Sequence, residues 1–368
     1  MAGRRGNGEG SIYQLPDGRW RAQATINRKR TGVYGKTRRE VQLKLRHLLG
    51  DAERGVIPPT EKVTLGQHLG RWLDEVVRHS VRPNTLRSYR HLTRLYILPE
   101  LGATPLPRLQ AADVQRLYGR LLDRGLAPKT VRNVHACLRR ALQQAVEWNL
   151  TARNVATLAV APRVGREEVV ALTPDQVRQL QVTAREGRWA PLIAVALATG
   201  LRMGEVLGLR WGDVDLADST IRVQRQYGQD RTFSEPKSAK GRRTIDLPAS
   251  CLAIIREHRR QQAEERVFVG VDWQDQDLVF CTHQGRPLSQ RNVLRAFKVL
   301  LARAGLPDMP FHALRHTHAT LLLAQGIHPK VVQERLGHAT IAMTLDIYSA
   351  YVPSMGRDAA DKLDTLLA

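Results

Sequence analysis

The sequence predicts a mainly α protein with small β-sheets, an α+β fold, over 368 residues. Apolar residues recur at helical spacing through most of the chain, which predicts amphipathic helices. Short alternating segments near residues 12–26 and 220–247 predict the sheets. Hydrophobic residues make up 42% of the chain, which is enough for ordinary cores and excludes a disordered protein. At about 100–200 residues per domain, the length indicates two or three domains.

The net charge is strongly positive, because 57 lysines and arginines outnumber 35 acidic residues to give +22. Such an excess indicates a polyanionic partner, first of all nucleic acid, and a merely basic or ribosome-associated protein is the alternative. The longest mostly apolar stretch, residues 190–201, is too short to span a bilayer. Residues 1–10 lack the apolar core of a signal peptide. Three isolated cysteines exclude a disulfide framework and a zinc cassette, and they indicate a reducing cytoplasm.

The excess charge is distributed unevenly along the chain. Residues 1–50 hold 12 basic and 3 acidic residues, residues 62–168 hold 18 and 8, and residues 169–368 hold 26 and 21. The pair Pro58-Pro59 and the segment 161–165 are typical of linkers, because Pro and Gly interrupt regular structure. We therefore predict three domains: a sheet plus one helix over residues 1–55, a helical bundle over 62–163, and a mostly helical domain with a small antiparallel sheet and a C-terminal tail over 169–368.

The first domain begins with a predicted β-hairpin, in which strands Ile12–Leu15 and Trp20–Ile26 flank a Pro-Asp-Gly turn. Residues Arg28–Tyr34 predict a third strand, and the pattern Thr37–Glu40 predicts a capping box that starts a helix. Strands of this kind can lie in a DNA groove, whereas a small solubilising domain is the alternative. The basic residues that we expect to contact DNA here are Arg19, Arg21, Arg28, Lys29 and Arg30.

The second domain is predicted to be helical throughout residues 64–160. Asn84-Thr85 can cap one helix, and Pro128 precedes another whose apolar stripe includes Val131 and Leu138. Any single arginine stripe can be a solvated face, but several together with the excess charge favour contact with phosphates. The candidate DNA contacts on these helices are Arg87, Arg90, Arg132 and Arg139.

The third domain is predicted to start at an N-cap, Thr173, with Pro174 at the first helical position. Helices follow to about Leu209. Three short strands come next, and the remainder is predicted to be helical. The strands are Thr220–Gln226, Arg231–Glu235 and Arg243–Leu247.

Four motifs in the third domain combine residue types that suit phosphoryl transfer. They are TGLRMGE with Arg202, the turn PKSAKG with Lys237, HALRHTH with His312 and Arg315, and LGH with His338, followed ten residues later by Tyr348. Arginine forks bind phosphate oxygens at two points and stabilise transition-state charge. Histidine and lysine move protons, and tyrosine can attack phosphorus and hold the phosphate covalently.

A metal site is the competing interpretation of the same region. His312 and His316 are four residues apart, a spacing on a helix that suits zinc. However, no Glu follows His312 directly, and the motifs contain neither paired cysteines nor a cluster of acids for magnesium. We therefore expect no metal and no other cofactor.

Taken together and in this order, the motifs resemble the tyrosine recombinase (phage integrase) family, in particular the lambda-type integrases of phages and integrative elements. The resemblance covers nearly the whole chain and is strongest after residue 165. It implies an N-terminal arm-binding domain, a helical core-binding domain and a catalytic domain. It also implies that Arg202 and Arg315 clamp the scissile phosphate and that His338 hydrogen-bonds to it in the transition state.

The remaining roles also come from the resemblance. Tyr348 would attack the phosphate to give a 3′-phosphotyrosyl link, Lys237 would be the general acid to the leaving 5′ oxygen, and His312 would be the general base. Lys240 competes with Lys237, which we prefer because the family often has Pro-Lys at this corner. Tyr351 competes with Tyr348, which the distance from the LGH motif favours.

The resemblance further implies a site-specific recombinase that works through a Holliday junction, without metal or ATP. Its partners would be double-stranded DNA attachment sites of core and arm type, three further copies of the chain in a homotetramer, and DNA-bending or directionality factors, with no membrane. Its place would be the cytoplasm of a bacterial host, at the nucleoid. A non-catalytic DNA-binding protein and a type IB-like topoisomerase are the alternatives. A final helix with Leu363 and Leu367 on one face would dock on its own subunit or on a neighbour.

Overall fold

The computed structural model describes residues 10–26, 29–53, 63–165, 170–185, 187–236 and 239–342, together with Leu345, Asp364 and Leu367. The chain divides into two compact units, Met1–Arg166 and Glu167–Ala368. Each of the three predicted domain ranges contains its own hydrophobic cluster, although the exact domain bounds stay predictions. The mainly α fold class with small sheets is confirmed.

The N-terminal segment is an antiparallel three-stranded sheet followed by a helix, as predicted. The elements are β1 (Ser11–Gln14), β2 (Trp20–Ile26), β3 (Lys29–Gly35) and α1 (Arg38–Glu53), with the sheet order β1-β2-β3. Thr37 Oγ1 accepts a hydrogen bond from the Glu40 amide, which starts α1 at the expected place. Ala22 of β2 packs with Val41 and Leu45 of α1 in a small core.

The segment from 63 to 165 is a helical bundle. Its helices are α2 (Leu65–Arg71), α3 (Arg78–Ser80), α4 (Pro83–Leu92), α5 (Leu98–Leu101), α6 (Ala111–Asp123) and α7 (Pro128–Glu147). π-helical turns at Trp72–Val77 and Thr93–Ile97 join α2 to α3 and α4 to α5. The predicted stripe of α7 is confirmed, because Val131 and Leu138 are fully buried in the core of the bundle.

The predicted cap of α4 is wrong by two residues. The helix starts at Pro83, whose fixed φ suits the first helical position, and Arg82 is the N-cap. Asn84 lies inside the first turn, where its side chain accepts a hydrogen bond from Arg87 at 3.1 Å.

The second unit contains seven further described helices and five short strands. The helices are α8 (Pro174–Ala184), α9 (Ala190–Thr199), α10 (Met203–Leu207), α11 (Ala249–Val269), α12 (Gln290–Arg303), α13 (Ala313–Ala324) and α14 (Pro329–Leu336). The strands are β4 (Val214–Asp215), β5 (Thr220–Val223), β6 (Gln226–Tyr227), β7 (Phe233–Ser234) and β8 (Arg243–Asp246). The Thr173 cap is confirmed, since its side chain accepts from the Gln176 amide and the Gln176 side chain accepts in return.

The strands differ from the prediction in two respects, the first being that β4 was not predicted. The predicted strand Thr220–Gln226 is broken into β5 and β6, which belong to different sheets, β4-β5-β8 and β6-β7. The break has a physical cause: Arg225 forms an ion pair with the buried Asp213, while Gln226 pairs with Ser234 of β7.

Helix α9 is apolar on all sides because it lies in the middle of the second unit, where α8, α10, α11 and α13 pack around it. Within the described residues, no helix is long and apolar enough to cross a membrane. The predicted final helix, with Leu363 and Leu367, lies almost entirely outside the described residues.

Candidate active site

Arg202 is placed by a tight turn between α9 and α10. Gly200 ends α9 in the left-handed region, at φ 64°, and a Cβ atom there would lie 2.6 Å from Leu336 Cδ2 and 2.7 Å from His318 Cδ2. Only glycine therefore fits both the backbone conformation and the space. Arg202 is the N-cap of α10, and its Nη1 donates to Glu205 Oε1 at 2.8 Å.

Arg315 lies in α13 and joins the ends of two helices. Its side chain is buried, with the whole residue only 2% exposed. Nη1 donates to the Gly200 carbonyl at 2.8 Å, and Nη2 donates to the Leu336 carbonyl at 2.7 Å. These carbonyls lie at the C-terminal ends of α9 and α14, where helices leave acceptors unsatisfied. The guanidinium group is therefore held in a fixed orientation.

Arg202, Arg315 and His338 come together at one turn. Arg202 Nη2 lies 3.5 Å from the Gly337 carbonyl oxygen, one residue beyond the Leu336 carbonyl that binds Arg315. Buried His338 follows directly, and its amide donates to the Gln333 carbonyl at 3.1 Å. Three residues from widely separated motifs thus meet at Leu336-Gly337-His338.

A third arginine, Arg243 of β8, completes the cluster, and the sequence analysis missed it. Its Nη2 donates to Glu205 Oε2 at 2.9 Å and its Nε to the Arg335 carbonyl at 2.7 Å. Arg243 therefore links Glu205, the residue that pairs with Arg202, to the C-terminal end of α14. The signal that could have revealed it is the period of two in a strand, which puts Arg243 on the same face as buried Ile245.

The charges at this site do not balance. The guanidinium groups of Arg202 and Arg243 both pair with one carboxylate, that of Glu205, and Arg315 adds a third positive charge that this carboxylate influences only at longer range. Burial would raise the pKa of Glu205, but Arg243 and Arg202 hold it below its usual value. Burial, together with Arg202, lowers the pKa of Arg315 to about 9, so this residue is still protonated at neutral pH. Within the described residues, Arg315 makes its hydrogen bonds to carbonyl groups and not to a carboxylate.

The histidines at the site are neutral at pH 7. Desolvation, reinforced by His316 and Arg315, lowers the pKa of His312 to about 4. Desolvation and the charges of Arg315 and Arg202 lower the pKa of His338 to about 3. The rings of His312 and His316 are 4.7 Å apart, and burial also lowers the pKa of His316.

His318 has a structural place beside the site. Its Nδ1 is 2.8 Å from the Leu197 carbonyl oxygen, and its Nε2 accepts from Arg335 Nε at 3.3 Å. These contacts define the neutral form with the proton on Nδ1. Burial and Arg335 lower the pKa of His318 to about 4.

The predicted acid and nucleophile, Lys237 and Tyr348, lie outside the described residues, as does Tyr351. Lys240, the alternative to Lys237, is exposed, and its Nζ donates to the Ala339 carbonyl at 3.1 Å, one residue after His338.

Comparisons with known proteins identify the family to which the chain belongs. Residues 171–353 match the model of the phage integrase family, and residues 64–122 match the SAM-like N-terminal domain of phage integrases. A XerC-like tyrosine recombinase of Caldanaerobacter subterraneus is 32% identical, over 94% of this chain and 96% of its own. An integrase of Streptomyces ambofaciens is 30% identical, over 99% and 98%.

This chain belongs to the phage integrase family of tyrosine recombinases. It is therefore a site-specific recombinase, an enzyme that cleaves and rejoins DNA. Solved structures show the same fold. The Tn1549 transposon integrase, bound to a circular intermediate DNA, gives a TM-score of 0.69 at 22% identity, over 80% of this chain and 99% of that one. A lambda integrase tetramer bound to a Holliday junction gives 0.60 at 19%, over 94% and 96%.

The recombinase presents most of its predicted DNA-contact residues at the surface. Arg19, Arg30, Arg87, Arg90, Arg132 and Arg139 are exposed. Arg21 is half-buried, with its guanidinium carbon 5.1 Å from the centre of the Tyr34 ring. Arg28 and the side chain of Lys29 lie outside the described residues. Some exposed arginines already have partners, such as Arg90 with Asp74 at 2.8 Å.

Metal ligands do not cluster in the part of the recombinase that the structure describes, where no group of three or more His, Cys, Asp or Glu residues could hold an ion. His312 and His316 contact each other edge to face, at an interplanar angle of 87°.

Proposed function

We propose that Arg202, Arg315 and His338 bind the scissile phosphate of the DNA strand that this integrase cleaves. The observation that carries the proposal is the meeting of both guanidinium groups at the Leu336 and Gly337 carbonyls. Because Arg315 donates no hydrogen bond to a carboxylate within the described residues, its positive charge is available to an anion. Donors that are fixed before the substrate arrives stabilise transition-state charge most effectively.

The chemical step is derived from the roles that the sequence motifs predict. The hydroxyl oxygen of Tyr348 attacks phosphorus, the bond from phosphorus to the 5′ oxygen breaks, and a 3′-phosphotyrosyl link forms. His312, which is neutral at pH 7 because desolvation lowers its pKa, takes the tyrosine proton. Lys237 gives a proton to the leaving 5′ oxygen.

Rejoining is the reverse reaction with a new strand. The 5′-hydroxyl of the partner DNA attacks the phosphotyrosine, and the bond energy retained there makes ATP unnecessary. Two rounds of exchange pass through a Holliday junction in a homotetramer. Support comes from the lambda integrase, a structural neighbour that forms a tetramer on such a junction.

We further propose that residues 1–55 bind arm-type sites and that residues 62–163 bind the core-type site with the catalytic domain. The exposed arginines of both N-terminal segments support this division. DNA-bending or directionality factors complete the assembly. The enzyme acts in the cytoplasm of a bacterial host, on nucleoid DNA, because the chromosome is the target of a phage or mobile element.

The nucleophile is tested with a nicked suicide substrate, in chelator and without ATP. The substrate carries the core site selected by this protein from random duplexes. A covalent protein–DNA adduct is expected from the wild type and from Tyr351→Phe, and none from Tyr348→Phe. The opposite pattern would assign the reaction to Tyr351, and no adduct from any form would favour a non-catalytic DNA-binding protein. An adduct with relaxation but no strand exchange would favour a topoisomerase.

The general acid is tested with a substrate whose leaving 5′ oxygen is replaced by sulfur. A thiol has a pKa near 8.5, far below that of an alcohol, so a thiolate leaves without a proton donor. Lys237→Ala should therefore cleave normal DNA slowly and the sulfur substrate at the wild-type rate. Lys240→Ala is the matched control, and rescue of this variant instead would identify Lys240 as the acid.

The domain assignment is tested by deleting residues 1–55. Binding to arm-type DNA should be lost while the adduct with core-site DNA persists. Loss of the core-site adduct would contradict the assignment.

A further inference from the structure

We propose that an exposed apolar knob at the end of α11 contacts a second copy of this integrase bound to the same DNA. The knob comprises residues 264–277. Val267, Phe268 and Val271 are 83%, 93% and 102% exposed, so they add nothing to the core of their own unit. Apolar side chains exposed side by side typically mark an interaction site.

One ion pair within the knob and two contacts to residues 283 and 284 hold the knob in place. Arg266 Nη1 pairs with Asp275 Oδ2 at 3.0 Å, and Glu265 Oε1 lies 3.2 Å from His283 Nδ1. The Gln274 amide donates to the Gln284 carbonyl at 2.9 Å. The three apolar side chains therefore project from an ordered turn, and an ordered surface loses less conformational entropy on binding.

The charge of the knob identifies the kind of partner. Five acidic residues and one arginine give this segment a net charge of −4, in a chain whose total is +22. The acids are Glu264, Glu265, Asp272, Asp275 and Asp277. This negative charge disfavours DNA as the occupant, because it repels phosphates. A basic protein surface is complementary, and a second copy of this chain, whose net charge is +22, offers such a surface where it is not covered by DNA.

The size of the knob indicates that the contact forms on DNA rather than in free solution. Three side chains offer on the order of a few hundred Å², whereas stable interfaces bury about 1,200–2,000 Å². A small contact suffices when both partners are already held close together, because the effective concentration is then in the millimolar range. This step rests on the proposed function, which puts several copies on one DNA.

The test compares DNA duplexes that carry one or two copies of the selected core site. We expect the wild type to fill two sites cooperatively, and Phe268→Ser to reduce the cooperativity factor about tenfold without changing the affinity for a single site. Asp272→Lys should also reduce the cooperativity factor. The control is Val182→Ser, which removes another apolar side chain, 60% exposed on α8, and should leave cooperativity unchanged.

Three outcomes would overturn the inference: no cooperativity in the wild type, unchanged cooperativity in both knob variants, or an equal loss in Val182→Ser. The suicide-substrate assay on a single site separates this from the proposed function. If both knob variants still form the adduct and bind with unchanged cooperativity, only the knob contact is refuted, whereas a wild type that forms no adduct refutes the proposed function.

Discussion

The helical bundle and the candidate active site use arginine in opposite ways. In the bundle, Arg132 and Arg139 are exposed on α7 and surrounded by solvent. At the active site, Arg315 is 2% exposed and the side chain of Arg243 is 7% exposed, and backbone carbonyls hold both. Exposed arginines supply a salt-sensitive attraction to any phosphate, whereas buried ones supply a fixed geometry for one phosphate. Under the proposed function, position, and not net charge, therefore separates DNA binding from chemistry in this chain.

The largest effect is expected from Arg315→Lys, which keeps the charge and removes the fork that bonds Gly200 and Leu336. Cleavage of the suicide substrate should fall by about 10²–10³-fold, because a fixed donor to the developing charge is lost. The measurement is the single-turnover rate at saturating DNA. Arg303→Lys, an exposed arginine at the end of α12, is the control and should change nothing. A rate near that of the wild type would show that charge alone suffices here.

The next prediction concerns Arg243, which would affect cleavage by positioning Arg202 and not by contacting the phosphate. Arg243→Met leaves Glu205 with Arg202 alone, and breaking such a buried pair costs about 3–5 kcal/mol of unfolding free energy. Misplacing Arg202 should slow cleavage by about 10²-fold while DNA affinity stays the same.

Urea unfolding and single-turnover cleavage measure the two effects separately. Adding Glu205→Gln to Arg243→Met should restore part of the stability but not the rate, since a buried carboxylate that has lost one of its two arginine partners is then removed. Cleavage at the wild-type rate in Arg243→Met would show that Arg243 does not contribute to the active site.

A smaller effect is expected from the exposed arginines. Arg132→Gln combined with Arg139→Gln should weaken DNA binding, and the slope of log K against log salt should fall by about 2, at about 0.9 per phosphate contact. Cleavage at saturating DNA should not change. Binding titrations from 50 to 200 mM salt provide the measurement. An unchanged slope would mean that these side chains do not reach phosphates.

The smallest effect concerns pH and stability. The pKa of buried His318 is about 4, below its usual 6.5, so between these values the unfolded chain binds a proton that the folded chain does not. Stability is therefore complete above about pH 6.5 and falls as the pH drops towards 4. Calorimetry between pH 7.5 and 5 should show Tm falling by several degrees, at about 2–4 °C per kcal/mol. His318→Gln should make Tm depend less on pH over this range. An unchanged pH dependence would contradict the lowered pKa of His318 in the folded chain.

Local features of the fold could be predicted from the sequence. The apolar stripe of α7 and the Thr173 cap depend on residues three or four positions apart, and both are found where the pattern puts them. The family motifs likewise pointed to Arg202, Arg315 and His338, which converge in the structure. Local pattern and motif were sufficient in these cases.

Contacts between distant elements could not be predicted. The bond from Arg243 to the Arg335 carbonyl joins β8 to α14 across 92 positions, and no spacing rule covers it. The break between β5 and β6 depends on the ion pair of Arg225 with Asp213, a residue outside the strand. The burial of Arg315 within α13 is equally invisible in the sequence, because arginine is mostly exposed in proteins.

The carbonyl partners of Arg315 also bear on how this enzyme responds to selection. A buried cation without a carboxylate partner lowers the stability of the free protein, so an apolar residue of similar size at this position would give a more heat-resistant chain. If Arg315 binds the scissile phosphate as proposed, that chain would also have lost its phosphate site, which is the usual conflict between stability and activity. DNA relieves the conflict, because an anion that binds only the folded state stabilises it by mass action. Thermal stability and catalytic activity therefore make opposite demands on Arg315, and bound DNA offsets the loss of stability.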